Sequence, residues 1–204
     1  MEIFKNYNDF ENRILSLYPY AENAQISKSQ MNKKILQSFE NDDILKVTNI
    51  LSSVCRHSLN NDFILTSLYS SISRKNIYYL NIENDKIVAF CILGRENKQI
   101  FQQNIDFQGL KQYCIENQKS IPKLIQIFQK SSYSVYSILI LCSSKKGKGK
   151  QLIDEIPSSI IQNAFILSVD SPLKPLKKYY QSLGFIYEKD LYSWSGTIYK
   201  VIEK

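Results

Sequence analysis

Apolar residues recur at every third or fourth position through the first third of the chain, which is the spacing of one face of an α-helix. Phe10, Ile14 and Leu17 form the first of these stripes. The pattern predicts that residues 1–75 form a helical region packed on the core. Three more stripes follow, and their members are Met31, Ile35 and Phe39, then Ile44, Val47, Leu51 and Val54, then Leu65, Leu68 and Ile72.

From residue 76 onward the pattern changes to apolar runs rich in β-branched and aromatic residues, which are typical of strands. The segment NIYYLNIENDKIVAFCILGRE contains two such runs on either side of Glu83-Asn84-Asp85-Lys86, and polar turn formers between strands predict a hairpin. YSVYSILILCSS and AFILSVD are predicted to be buried strands, and FIYEKD and TIYKVIEK closing strands. GKGKQLIDEIPSSI and PLKPLKKYYQSLGF have helical patterns, the second ended by Gly184.

The predicted order is two strands, a helical insert at 97–132, a strand, a helix, a strand, a helix and two closing strands. This order predicts the α/β (α+β) fold class, with a mixed sheet flanked by helices. We therefore expect a core domain at 76–204 and extra N-terminal helices at 1–75.

Composition narrows the class of protein. With 204 residues, 44% of them hydrophobic, the chain can bury one good core. No run approaches the roughly 20 apolar residues needed to cross a bilayer, so we expect a soluble, cytoplasmic protein with no membrane partner.

The cysteines Cys55, Cys91, Cys114 and Cys142 are scattered and are predicted to be reduced, mostly buried thiols. His57 is the one histidine, so no metal site is expected.

The net charge of +7 raises the possibility of nucleic-acid binding, because Lys and Arg neutralise phosphate. Four of the positive charges, however, lie within six residues, at Lys145, Lys146, Lys148 and Lys150. A local cluster favours one polyanionic small ligand over a nucleic acid.

The segment SSKKGKGKQ lies where a predicted strand ends and a predicted helix begins. The first amide N–H groups of a helix have no intrahelical partner, and partial positive charge accumulates there. Gly147 and Gly149 would let a phosphate approach the backbone and would permit positive φ angles. These features predict phosphate binding of a general kind.

Two common phosphate motifs do not fit this segment. A Walker P-loop requires Ser or Thr after its Lys and Gly at its start, whereas Gln151 and Ser144 occupy those positions. A dinucleotide fingerprint requires a third Gly where Leu152 stands.

A third motif fits better. SKKGKGKQLI resembles the acetyl-CoA loop of the GNAT N-acetyltransferase superfamily, Q/R-x-x-G-x-G/A, although Ser144 stands where the family usually has Gln or Arg. PLKPLKKYYQSLGF resembles the second motif of the family through Tyr179, Tyr180, Gly184 and Phe185. The resemblance covers about residues 76–204.

The resemblance implies a GNAT-like, splayed sheet and transfer of an acetyl group from acetyl-CoA to a primary amine by direct attack. It also implies that an N–H of Leu141 or Cys142 polarises the thioester carbonyl, and that Tyr180 either protonates the leaving thiolate or packs under the coenzyme. The coenzyme-binding residues that it implies are Leu141, Cys142, Ser143, Lys145, Lys146, Gly147, Lys148, Gly149, Lys150 and Gln151.

Several assignments stay open at this point. Candidate general bases are Glu96, Glu83, Asp170 and Glu188. Trp194 and the tyrosines 187, 192 and 199 either line an acceptor pocket or pack on the sheet. An alternative function, motivated by Ser144 and the added helices, is a catalytically weak or inactive binding or assembly protein that retains the coenzyme site. The residues do not identify the amine acceptor.

Overall fold

The computed structural model describes twelve helices and strands. It covers residues 1–39, 43–56, 58–72, 76–97, 112, 115, 126, 133–161, 164–169, 174–185 and 198–203. In chain order the elements are β1 (Glu2–Phe4), α1 (Tyr7–Leu17), α2 (Gln30–Gln37), α3 (Asp43–Val54), α4 (Asn61–Ile72), β2 (Ile77–Glu83), β3 (Lys86–Arg95), β4 (Ser134–Ser143), α5 (Lys148–Ser159), β5 (Ala164–Val169), α6 (Lys174–Ser182) and β6 (Ile198–Glu203).

The strands form one six-stranded sheet in chain order, β1 to β6. β1, β2 and β3 pair antiparallel, β4 and β5 pair parallel, and β5 and β6 pair antiparallel. The predicted mixed sheet with helices, and with it the α/β fold class, is therefore confirmed. By its internal contacts the chain divides into a first unit, Met1–Gly94 with Leu139–Ser159, and a second unit, Arg95–Ile138 with Ile160–Lys204.

The core of the first unit is built by the predicted helical stripes. Phe10 and Ile14 of α1 are fully buried, and Phe10 stacks on Tyr78 of β2 with ring centroids 4.8 Å apart. All four members of the α3 stripe are buried. α1 begins where the side-chain Oδ1 of Asn6 accepts a hydrogen bond of 2.9 Å from the main-chain N–H of Asp9. This bond satisfies one of the unpaired N–H groups of the first turn.

Three features of the first unit differ from the sequence prediction, and one of them is Ile72 of the fourth stripe, which is 38% exposed at the end of α4. β1, which pairs with β2 through Glu2–Phe4, was missed because three residues are too few to show alternation. On α2, Met31 is 59% exposed and Asn32 is buried in its place. The side-chain Nδ2 of Asn32 donates to Asp62 Oδ1 at 2.6 Å and to the Ser27 carbonyl at 3.1 Å, and a buried polar group with such partners is tolerated.

The second unit contains the β4–β5 ladder. Its register runs from Ser134 with Phe165 to Ser137 with Ser168, and the last pair is joined by a buried side-chain hydrogen bond of 2.8 Å. Within the described residues the ladder ends there, whereas β4 itself continues to Ser143. β6 pairs with all six residues of β5.

Some predictions lie outside the described residues. They are the helical insert at 97–132, except for isolated positions, and most of the closing strand FIYEKD. The division of the chain at residue 75 stays a prediction. Among the helices that the structure describes, none has the length and apolar character that crossing a membrane requires.

Candidate functional site

The predicted phosphate corner, here called the lysine loop (residues 144–150), runs from the end of β4 into the first turn of α5. The loop leaves β4 where the Ser144 amide donates to the Val88 carbonyl at 2.9 Å. It then turns at Gly147, whose φ of 85° is rarely adopted by residues with a side chain. A Cβ built on Gly147 would meet no atom of the described residues within 4 Å, so these residues leave space open in front of it. Gly149 lies in the first turn of α5 and is buried.

The loop also contains several main-chain donors for which the described residues offer no acceptor. The amide of Lys145 donates to the Ser143 hydroxyl at 3.2 Å, and the amide of Lys148 donates to the Lys145 carbonyl at 3.3 Å. Among the described residues there is no acceptor for the amides of 146, 147, 149 and 150. Such donors at the start of a helix favour an anion. The loop backbone therefore fits a phosphate group.

The charges of the loop are arranged differently from what the sequence suggested, because three of the four lysines already have acidic partners. Lys145 and Lys148 each place Nζ 2.6 Å from a different carboxylate oxygen of Glu83. Lys150 pairs with Asp154 one turn along α5. Within the part of the chain that the structure describes, Lys146 has no acidic partner.

Glu83 is held at the loop by the β2–β3 hairpin. The two turn residues, Asn84 and Asp85, have φ angles of 49° and 56°, and positive φ at both positions is the geometry of a tight type I′ turn. Hydrogen bonds from Lys145 and then Lys148 lower the pKa of Glu83 from its ordinary 4.5 to about 2. So acidic a carboxyl is a weak base at neutral pH, which argues against Glu83 as the general base.

Gln151 lies among protein partners at the start of α5. Its Oε1 accepts from Asn81 of β2 at 3.3 Å and from Lys148 at 3.1 Å, and its Nε2 donates to Glu155 at 3.1 Å. These contacts tie α5 to the end of β2. The coenzyme contact implied for Gln151 stays a prediction.

The cysteines correct one prediction. Cys55, after the end of α3, and Cys142, near the end of β4, form a disulfide across 87 positions, so the expectation of reduced thiols is wrong for this pair. Apolar surroundings predicted burial but could not show that two distant segments meet. Cys91 is a buried free thiol as predicted, and burial raises its pKa. The side chain of Cys114 lies outside the described residues.

Arg56, next to the disulfide, is a loop contact that sequence reasoning missed. It has a φ of 52°, and its guanidinium donates to the Ser144 carbonyl. A further positive charge thus reaches the lysine loop from a helix end 88 residues away. Helical periodicity contained no indication of this contact, because Arg56 follows the last residue of α3.

In the second unit, the end of α6 (Tyr179–Phe185, the α6 end) contains the second predicted motif. Tyr180 is buried, and its ring lies 5.4 Å from that of Tyr179 and 5.2 Å from that of Phe185. Gly184 has a φ of 85°, and the Phe185 amide donates to the Tyr180 carbonyl at 3.1 Å, which closes the helix as predicted. The catalytic role of Tyr180 stays a prediction.

The other candidates are placed only in part. The Glu96 amide donates to the Val135 carbonyl at 2.9 Å. Asp170, Glu188, Trp194 and the side chains of the tyrosines at 187, 192 and 199 lie outside the described residues. In the described part of the chain, no group of three His, Cys, Asp or Glu side chains could hold a metal ion.

No family model matches the chain, and neither does any curated protein. In structure it is similar to an acetyltransferase of the GNAT family from Streptococcus agalactiae (10% identity, 100% of this chain and 96% of that chain covered, TM-score 0.44). It is also similar to arylalkylamine N-acetyltransferase 2 from Aedes aegypti (14% identity, 99% of each chain, TM-score 0.43). A GNAT-family acetyltransferase from Streptococcus pneumoniae has 14% identity, covers 98% of this chain and 99% of its own, and has a TM-score of 0.39.

Proposed function

We propose that this protein is an N-acetyltransferase that transfers an acetyl group from acetyl-CoA to a primary amine. The observation that carries the proposal is the lysine loop, where four main-chain amides without acceptors among the described residues surround the positive-φ turn at Gly147. Backbone N–H groups at a helix start, with lysines beside them, suit the diphosphate of a coenzyme. The two sequence motifs support acetyl-CoA as that coenzyme.

The chemistry that we propose needs few protein groups. The amine attacks the thioester carbon directly, and acetyl-CoA supplies the activated acetyl group. A main-chain N–H of Leu141 or Cys142 donates to the carbonyl oxygen as it gains negative charge, and one such donor is typically worth about 3 kcal/mol. Tyr180 gives its phenolic proton to the leaving thiolate, because a phenol stays protonated at neutral pH, and the proton that the acylated nitrogen loses passes through water and restores the phenol.

Titration calorimetry with acetyl-CoA, followed by a thiol-release assay over a panel of primary amines, tests the proposal. Binding together with turnover of at least one amine supports an acetyltransferase. Tight binding with no turnover on any amine supports the alternative, a binding or assembly protein that retains the coenzyme site. Absence of acetyl-CoA binding contradicts both.

A charge placed in the loop tests the site itself. Gly149→Asp puts a carboxylate beside the proposed phosphate, and we expect affinity for acetyl-CoA to fall about 100-fold or more, because charge-assisted hydrogen bonds are lost. Ser158→Asp makes the same charge change at an exposed position of α5 and should leave affinity within about twofold. Unchanged affinity in a folded Gly149→Asp protein, checked by circular dichroism, would place the coenzyme elsewhere.

A further inference from the structure

Glu83 forms ion pairs with two of the lysines that a coenzyme phosphate would contact. Its two carboxylate oxygens contact two different ammonium groups, those of Lys145 and Lys148, each at 2.6 Å. We propose that Glu83 is a specificity-determining residue of the lysine loop, because its carboxylate competes with ligand phosphate for these two lysines. The inference rests on the proposed function and extends it to the selection of the ligand.

The position of Glu83 is set by the backbone. It pairs with Lys86 at the last step of the β2–β3 ladder, directly before the tight turn. A carboxylate at the end of a closed hairpin loses less freedom on pairing than one on a mobile loop. The carboxylate is therefore a built-in competitor at a fixed place.

The ion pairs can be exchanged because they are open to water. The side chains of Lys145, Lys148 and Glu83 are 53%, 28% and 31% exposed. Exposed pairs of this kind are weak. A diphosphate carries more negative charge than one carboxylate and also accepts hydrogen bonds from the loop amides, so it can displace Glu83. A singly charged anion forms weaker interactions with the loop than the ion pairs of Glu83 that it would have to replace. Glu83 thus favours diphosphate ligands over singly charged ones.

Coenzyme A and pantetheine, which lacks phosphates, are suitable probes for calorimetry. Glu83→Gln removes the competing charge at nearly constant size, and we expect it to tighten coenzyme A binding about three- to tenfold. Asp85→Asn is the matched control, because it removes the same charge two residues away and asparagine also adopts positive φ. It should change affinity by less than about twofold, and neither variant should alter pantetheine binding.

The outcomes separate this inference from the proposed function. Weaker or unchanged coenzyme A binding by Glu83→Gln, with normal binding by the natural protein, overturns competition by Glu83 and leaves the acetyltransferase proposal intact. An equal gain in Asp85→Asn also overturns it, because net charge then explains the effect. A natural protein that binds no coenzyme A overturns both.

Discussion

Gly147 and Gly184 have the same φ of 85° but opposite surroundings. Gly147 directly precedes helix α5, and a Cβ there would meet no described atom within 4 Å. Gly184 closes helix α6, and a Cβ there would lie 3.6 Å from Cε of Lys200, whose Nζ donates to the Leu183 carbonyl at 2.9 Å. The same backbone requirement therefore serves two purposes. The lysine loop leaves donors and space for a ligand, whereas the α6 end uses its contacts to terminate a helix.

The largest expected effect tests whether the α6 end has a chemical role in addition to its structural one. Tyr180→Phe removes the phenolic proton and keeps the ring contacts with Tyr179 and Phe185. If Tyr180 is the general acid, turnover in the thiol-release assay falls about 10²- to 10⁴-fold, with acetyl-CoA affinity nearly unchanged. Tyr179→Phe is the matched control and should retain turnover. Full activity in Tyr180→Phe would leave this side chain with a packing role alone.

The next effect tests how much the disulfide beside the lysine loop stabilises the fold. The Cys55–Cys142 disulfide closes a long loop, and such a bond typically stabilises a fold by about 2–4 kcal/mol. A reductant should therefore lower the free energy of unfolding of the natural protein by that amount in urea titrations. The same reductant should leave the unfolding free energy of the Cys55→Ala variant unchanged. Equal stability of the natural protein with and without reductant would show that the two sulfurs are not joined.

The two glycines can be compared directly. Gly147→Ala and Gly184→Ala each force a side chain into positive φ, so each should cost about 1 kcal/mol of unfolding free energy. Their effects on coenzyme binding should differ, because only the methyl group added by Gly147→Ala enters the space that the loop leaves open. We expect roughly tenfold weaker acetyl-CoA binding for Gly147→Ala and less than twofold for Gly184→Ala. Equal binding by the two variants would remove the distinction between the two turns.

Local sequence patterns predicted the helices and strands of the lysine loop and the α6 end, but they did not predict contacts between residues far apart in the chain. The hairpin, the strands 134–143 and 164–169, and the helix end at Gly184 depend on neighbours within a few residues, so the sequence predicted them correctly. The pairing of Glu83 with the loop lysines spans more than 60 positions, and the disulfide spans 87. Such partners come together only through tertiary structure, which periodicity and turn chemistry do not describe.

The smallest expected effect concerns pH and returns to the cations of the lysine loop. The pKa of Glu83 is lowered from 4.5 to about 2, so its ion pairs contribute stability that is fully present above pH 4.5 and is lost as the pH falls toward 2. Unfolding free energies at about pH 6 and about pH 3 should thus show a difference between the natural protein and Glu83→Gln that shrinks at the lower pH. The effect is small because the groups are exposed, and the Asp85→Asn protein supplies the baseline for a charge without these pairs. A constant difference between the natural protein and Glu83→Gln would show that the carboxylate does not hold the lysines. Phosphate would then enter the loop without a competitor, and the loop would differ from the α6 end, where Lys200 caps a carbonyl, even more than the structure indicates.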